Sequence, residues 1–86
     1  MKKETLLKLI SKALDIQPSS RHSVTLDIYK DKSLTIYIHC TLETNTFVTD
    51  SKSISSQDGY PQFNKWLTGW TAIIETEREE DEANRS

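Results

Sequence analysis

His39 and Cys40 form the one adjacent pair in this chain with the residue types of a nucleophilic dyad. A thiolate nucleophile needs its base within hydrogen-bond reach. Both residues fall in a run of alternating polarity, where neighbours point to opposite faces of a strand. Cys40 is therefore expected in the core and His39 outside. Common zinc sites take about three or four His or Cys ligands, and the chain holds two His and one Cys. His22, at a strand entrance, is expected to be solvated. Two glycines are too few for a P-loop or a dinucleotide fingerprint. No catalytic residue, metal ligand or cofactor is expected, and the chain is not expected to be an enzyme.

The remaining chemistry is that of surfaces. Residues 1–32 carry seven Lys or Arg against four Asp or Glu, whereas residues 33–86 carry four against nine. The net charge of −2 is thus an average over a basic first third and an acidic remainder. Six acids and one Arg lie within Glu75–Glu82. Such a strip offers negative oxygens to Lys and Arg much as phosphates do. Glu75, Glu77, Glu79 and Glu80 are the expected contacts there with a basic protein partner. Lys2, Lys3, Lys8 and Lys12 ring the polar side of an N-terminal helix, the alternative being a nucleic-acid surface that also draws on Lys30 or Lys32. Bulk charge makes that the second reading. Trp66 and Trp70, four apart, are expected to pack in the core, with Gly69 between them either tolerated or admitting a close backbone.

These surfaces need elements to carry them. Over residues 3–15, Leu6, Leu7, Leu9, Ile10, Ala13 and Leu14 fall within an arc of about 160° on a helix. Pro18 ends it. Residues 22–30 and 33–42 switch to period two, with Val24, Leu26 and Ile28, then Leu34, Ile36, Ile38 and Cys40, on one face. Because the apolar residues of both strands are even-numbered, cross-strand partners must share parity. A three-residue loop, 31–33, then pairs Lys30 with Leu34 and Ile28 with Ile36. The opposite face is rich in Thr and carries Tyr29, Tyr37 and His39, the expected sheet contribution to a partner site. Aromatic sheets can stack bases, but the scarcity of basic residues here favours a protein partner.

Residues 46–54 read as a weaker third strand, polar enough for a sheet edge. Phe47 and Val48 must lie on opposite faces. Pro61 suits the first turn of a second helix over 61–78, with Asp58 as a nearby cap. Phe63, Trp66, Leu67, Trp70, Ile73 and Ile74 form its apolar face. Beyond it, repulsion between like charges predicts a frayed tail. The fold class expected is α+β in the order α-β-β-β-α, a three-stranded antiparallel sheet with two helices packed on one face. Residues 1–78 form one domain and 79–86 a disordered acidic tail.

The order and size resemble the double-stranded RNA-binding domain. That family binds phosphate with a basic cluster at the start of its second helix. Here the matching stretch, Pro61-Gln62-Phe63-Asn64-Lys65-Trp66, has a single Lys, so the likeness covers element order alone. By size and charge the chain is also similar to small acidic modulators encoded by phages, some of which inhibit nucleic-acid enzymes. The leading expectation is a non-enzymatic protein-interaction module, with a homodimer through the sheet as a third reading. Met1–Leu7 begins like a secretory signal, but Lys8 and Lys12 break the apolar run. With no membrane span and one Cys, a cytoplasmic protein is expected.

Overall fold

The computed structural model describes residues 1–85. Its elements are α1 (Lys3–Leu14), β1 (His22–Ile28), β2 (Leu34–Leu42), β3 (Asn45–Ile54), a single 3-10 turn (Gln57–Gly59) and α2 (Tyr60–Ala83). The order is α-β-β-β-α, and the strands form one antiparallel sheet in the order β1-β2-β3. Leu34, Ile36 and Ile38 of the central strand are fully buried against Leu6, Leu9 and Ala13 of α1 and Phe63 and Leu67 of α2. Both helices thus cover the even-numbered face of β2, and the odd-numbered face is open.

The β1–β2 register differs from the expected one by two residues. Ile28 pairs with Leu34 and Leu26 with Ile36. The Tyr29 N–H donates to the Ser33 carbonyl, and the Lys32 N–H returns to the Tyr29 carbonyl, both at 3.0 Å. The turn therefore spans residues 30–32, one earlier than 31–33, and it remains three residues long. Lys32 takes the left-handed backbone that closes such a turn (φ 64°). Asp31 selects this position by accepting from the Ser33 N–H and hydroxyl. Parity is preserved, so every side chain keeps its expected face while its partner changes. Tyr37 lies opposite Thr25, and His39 opposite Ser23.

Strand β3 carries a bulge. Ile38 pairs with Asp50, but His39 pairs with Val48, so Thr49 is the extra residue. An extra residue inverts the alternation beyond it. Ile54, Lys52 and Asp50 face the helices, and so does Phe47, opposite Cys40. Val48 lies opposite His39 on the open face. The strand starts at Asn45, because Glu43 and Thr44 alone make the turn. Glu43 has φ 58°, the left-handed region that favours glycine.

Ser56, rather than Asp58, is the capping side chain here. It caps the 3-10 turn by accepting from the Asp58 N–H, while the N-cap of α2 itself is Gly59, without a side-chain cap. Pro61 sits in the first turn as expected. Helix α2 does not stop at residue 78. Its 24 residues run to Ala83, about 36 Å of helix at 1.5 Å per residue, and give the molecule its 45 Å long axis. Two of the six acids meet partners in the α1–β1 connection, which offsets the repulsion that predicted fraying. Gly69 faces open space and admits no neighbouring backbone. Leu7 and Leu14 of α1 are exposed, contrary to the expected wide apolar arc. Among the described residues no helix is long and apolar enough to cross a membrane.

Candidate functional site

The distal half of α2 divides its carboxylates between two directions. Glu77 turns inward. Its Oε1 accepts from Ser19 Oγ at 3.0 Å and meets His22 Nδ1 at 2.7 Å, with the His22 and Glu77 side chains both nearly buried. An ionised carboxylate only accepts, so the His22 Nδ1 donates. The His22 ring also packs against Trp70, with centroids 5.3 Å apart. One turn on, Asp81 accepts from the Ser20 N–H at 2.8 Å and the Ser20 hydroxyl at 2.7 Å. These two bonds, the hydroxyl's first, hold the Asp81 carboxyl below its usual range. The segment Ser19-Ser20-Arg21-His22 can offer these groups because Ser19 Oγ ties off its own turn, accepting from the Arg21 and His22 N–H groups.

Ser19, His22 and Glu77 include the residue types of a hydrolytic triad, but they are not connected as one. A working triad needs the imidazole on the nucleophile. Here Ser19 and His22 both donate to the same carboxylate oxygen, and the Ser19 lone pairs face backbone donors. The arrangement is a clamp that docks α2 on the start of β1.

Glu75, Glu79 and Glu82 point the other way, and they and Glu80 are exposed. Glu75, Glu79 and Glu82 recur at i, i+4 and i+7, one stripe spanning about 10 Å along the axis. Glu80 lies on the opposite flank. Of the four carboxylates expected from the sequence to meet a partner, Glu75, Glu79 and Glu80 are thus displayed, while Glu77 is engaged inside.

The open face gathers the other three expected residues. Tyr29, Tyr37 and His39 are all odd-numbered and lie in a row. The Tyr37 and His39 rings are 6.4 Å apart at 42°. The neighbouring Tyr29 hydroxyl, and behind it the Asp27 carboxylate, raise the Tyr37 phenol above its ordinary pKa. Val48 joins them, and Thr35–Ser53 and Thr41–Thr46 hydroxyl pairs line the flanks. Cys40, by contrast, is buried under the helices, 8% exposed. Register thus separates its thiol from the His39 ring.

Asp50 was not singled out in the sequence, yet it organises the helix side. Its Oδ2 accepts from the indole N–H of both Trp66 and Trp70, each at 2.8 Å. The bond from Trp70 first, then that from Trp66, lowers the Asp50 pKa. Strand parity counted back from Ile54 places Asp50 inward, and indoles are the N–H donors on the facing helical stripe. That signal was legible, although it depends on a long-range contact.

The N-terminal cations do not form one patch. Lys12 turns onto α2, donating to Asn64 Oδ1 at 2.7 Å and to Thr68 Oγ1. Lys2, Lys3 and Lys8 remain exposed. Among the described residues no group of His, Cys, Asp and Glu could hold a metal ion. Compared with known protein families, curated proteins and solved structures, the chain matches none.

Proposed function

We propose that this chain is a protein-interaction module with no reaction of its own. It docks a basic surface of another protein with the outward carboxylates of α2, and the open sheet face supplies a second, less charged contact. The observation that carries this reading is the division of acids along one helix. Glu77 and Asp81 anchor α2 to Ser19, Ser20 and His22, so Glu75, Glu79, Glu80 and Glu82 stand on an ordered support. Carboxylates on an ordered helix lose less conformational entropy on binding than those of a disordered acidic tail would. The α2 carboxylates can occupy positions on the partner that nucleic-acid phosphates would otherwise fill. The Tyr29–Tyr37–His39 row adds aromatic contact area at low entropic cost. A small module that covers a basic surface fits the role of a modulator or inhibitor.

The test is a titration of the full chain with a fluorescent Lys/Arg-rich peptide at low and high salt. The comparison is between the variant with Glu75, Glu79, Glu80 and Glu82 all changed to Gln and a control of equal net charge. The control has Glu4, Asp15, Glu43 and Asp58 changed to their amides. The reading expects salt-sensitive binding that the control keeps and the α2 variant loses. Equal weakening in both would reduce the effect to bulk charge and overturn the assignment.

A further inference from the structure

The two edges of the sheet are built differently. The β3 edge has a bulge at Thr49 followed by Asp50 and Lys52, devices that discourage an added strand. The β1 edge has neither. From His22 to Ile28 it carries one charge, Asp27, with no proline and no bulge.

The hydrogen-bond phase tells which groups of β1 are free. The Thr41 N–H donates to the Arg21 carbonyl, and the Tyr29 N–H donates to the Ser33 carbonyl. Both pairs continue the β1–β2 register, so odd-numbered residues exchange bonds with β2 and even-numbered ones turn their N–H and C=O outward. Both outward groups of His22 are engaged, its N–H by Ser19 Oγ and its carbonyl by the Ser19 N–H. Val24, Leu26 and Ile28 are left with six backbone groups that have no partner among the described residues.

The apolar flank beside this edge is also uncovered. Ile28 is 56% exposed, Leu7 51% and Leu14 67%. Thr5 and Lys12 mark the side of α1 that meets the 3-10 turn, through Gln57, and α2, through Asn64 and Thr68. Leu7 and Leu14 lie roughly 200° around the helix from Thr5 and Lys12 respectively, on the flank turned away from α2.

We propose that β1 pairs antiparallel with β1 of a second copy of this chain, joining two sheets into one of six strands across a twofold axis. One register satisfies all six free groups. Leu26 lies opposite Leu26 of the second copy, and Val24 opposite its Ile28, in both directions. His22, already satisfied, falls outside the ladder. This pairing covers each exposed Ile28 with a Val24 and brings the two α1 flanks together. The same orientation keeps the two turns apart. The turn at one end of β1 carries Lys30 and Lys32 around Asp31, and antiparallel pairing holds the two turns at opposite ends of the joint ladder. Parallel pairing would set turn against turn.

Sedimentation of the full chain over a range of concentrations tests this. The expected result is a reversible dimer, with slowed amide exchange at Val24, Leu26 and Ile28 as concentration rises. Ile28→Lys puts a charge on the edge at an exposed position. Val24→Pro removes an outward N–H without touching the β1–β2 ladder. Each should lower the association constant by about tenfold or more while leaving the far-ultraviolet dichroism unchanged. If Val24→Pro fails to fold, Ile28→Lys decides. A monomer at every concentration overturns the proposal, as would the capture of a foreign strand by a chain that never self-associates. A dimer that survives Ile28→Lys and is lost with Tyr37→Lys would place the contact on the open face, and would equally overturn it.

Discussion

Replacing Asp50 with Ala removes the acceptor shared by Trp66 and Trp70. Hydrogen bonds to a charged group contribute about 1.5–3 kcal/mol each, which puts the pair at about 3–6 kcal/mol before solvent compensation. The indoles are half-buried, so water can replace part of what is lost, and about 2 kcal/mol is the expected cost. Asp50→Asn keeps an oxygen acceptor and loses the charge, for about half of that. Urea unfolding followed by indole emission is a suitable assay, because Trp66 and Trp70 are the chain's two tryptophans. The pH dependence has a definite sign. The folded-state pKa of Asp50 is depressed, first by Trp70 and then by Trp66. Its contribution is therefore fully present above the unfolded carboxyl value of about 3.9 and disappears as pH falls through the lower folded value. The stability gap between the native chain and Asp50→Asn should hold at neutral pH and close in strong acid. A cost below about 0.5 kcal/mol for Asp50→Ala would refute the role given to the shared Asp50 acceptor. So would simple additivity of Asp50→Ala with Trp66→Phe and Trp70→Phe, because groups sharing a hydrogen bond must couple.

Other substitutions probe the remaining parts. Gly69 faces open space within α2, so Gly69→Ala should stabilise the chain by up to about 1 kcal/mol, seen as a rise of several degrees in Tm by calorimetry. Phe63 is fully buried between the helices and the sheet, and Phe63→Ala should cost about 3–5 kcal/mol in chemical denaturation. Asp81→Asn weakens the two bonds from Ser20 and should speed amide exchange over the last two turns of α2. Because the Asp81 pKa is lowered, the same loosening should appear in the native chain as pH falls through the folded value.

Much of this fold could be read from residue order, and the parts that could not have specific causes. Alternation in Val24–Ile28 and Leu34–Cys40 fixed which faces are buried, because parity is local. It could not fix the partner, since shifting the register by two residues keeps every face. Asp31 binding to Ser33 decides that, a choice among neighbouring turn positions worth little energy. The bulge at Thr49 has no signature in a polar stretch, so whether Phe47 or Val48 faced the helices was open. The end of α2 is not legible locally, because its own charges repel, while the groups that hold it, on Ser19, Ser20 and His22, lie more than fifty residues away. The same distance hid the inward role of Glu77. Leu7 and Leu14 fit an amphipathic stripe, but α1 meets the sheet and α2 on one side only. Their exposure becomes intelligible once the bare β1 edge beside them is taken into account.

The most direct test of the central claim is capture from the native cell with three full-length baits in parallel. These are the native chain, the variant with Glu75, Glu79, Glu80 and Glu82 changed to Gln, and the control of equal net charge with Glu4, Asp15, Glu43 and Asp58 changed to their amides. The proposal predicts a protein with a basic surface that the native chain and the control retain, that salt releases, and that the α2 variant fails to hold. Retention of that protein by the α2 variant at native strength would contradict the proposal.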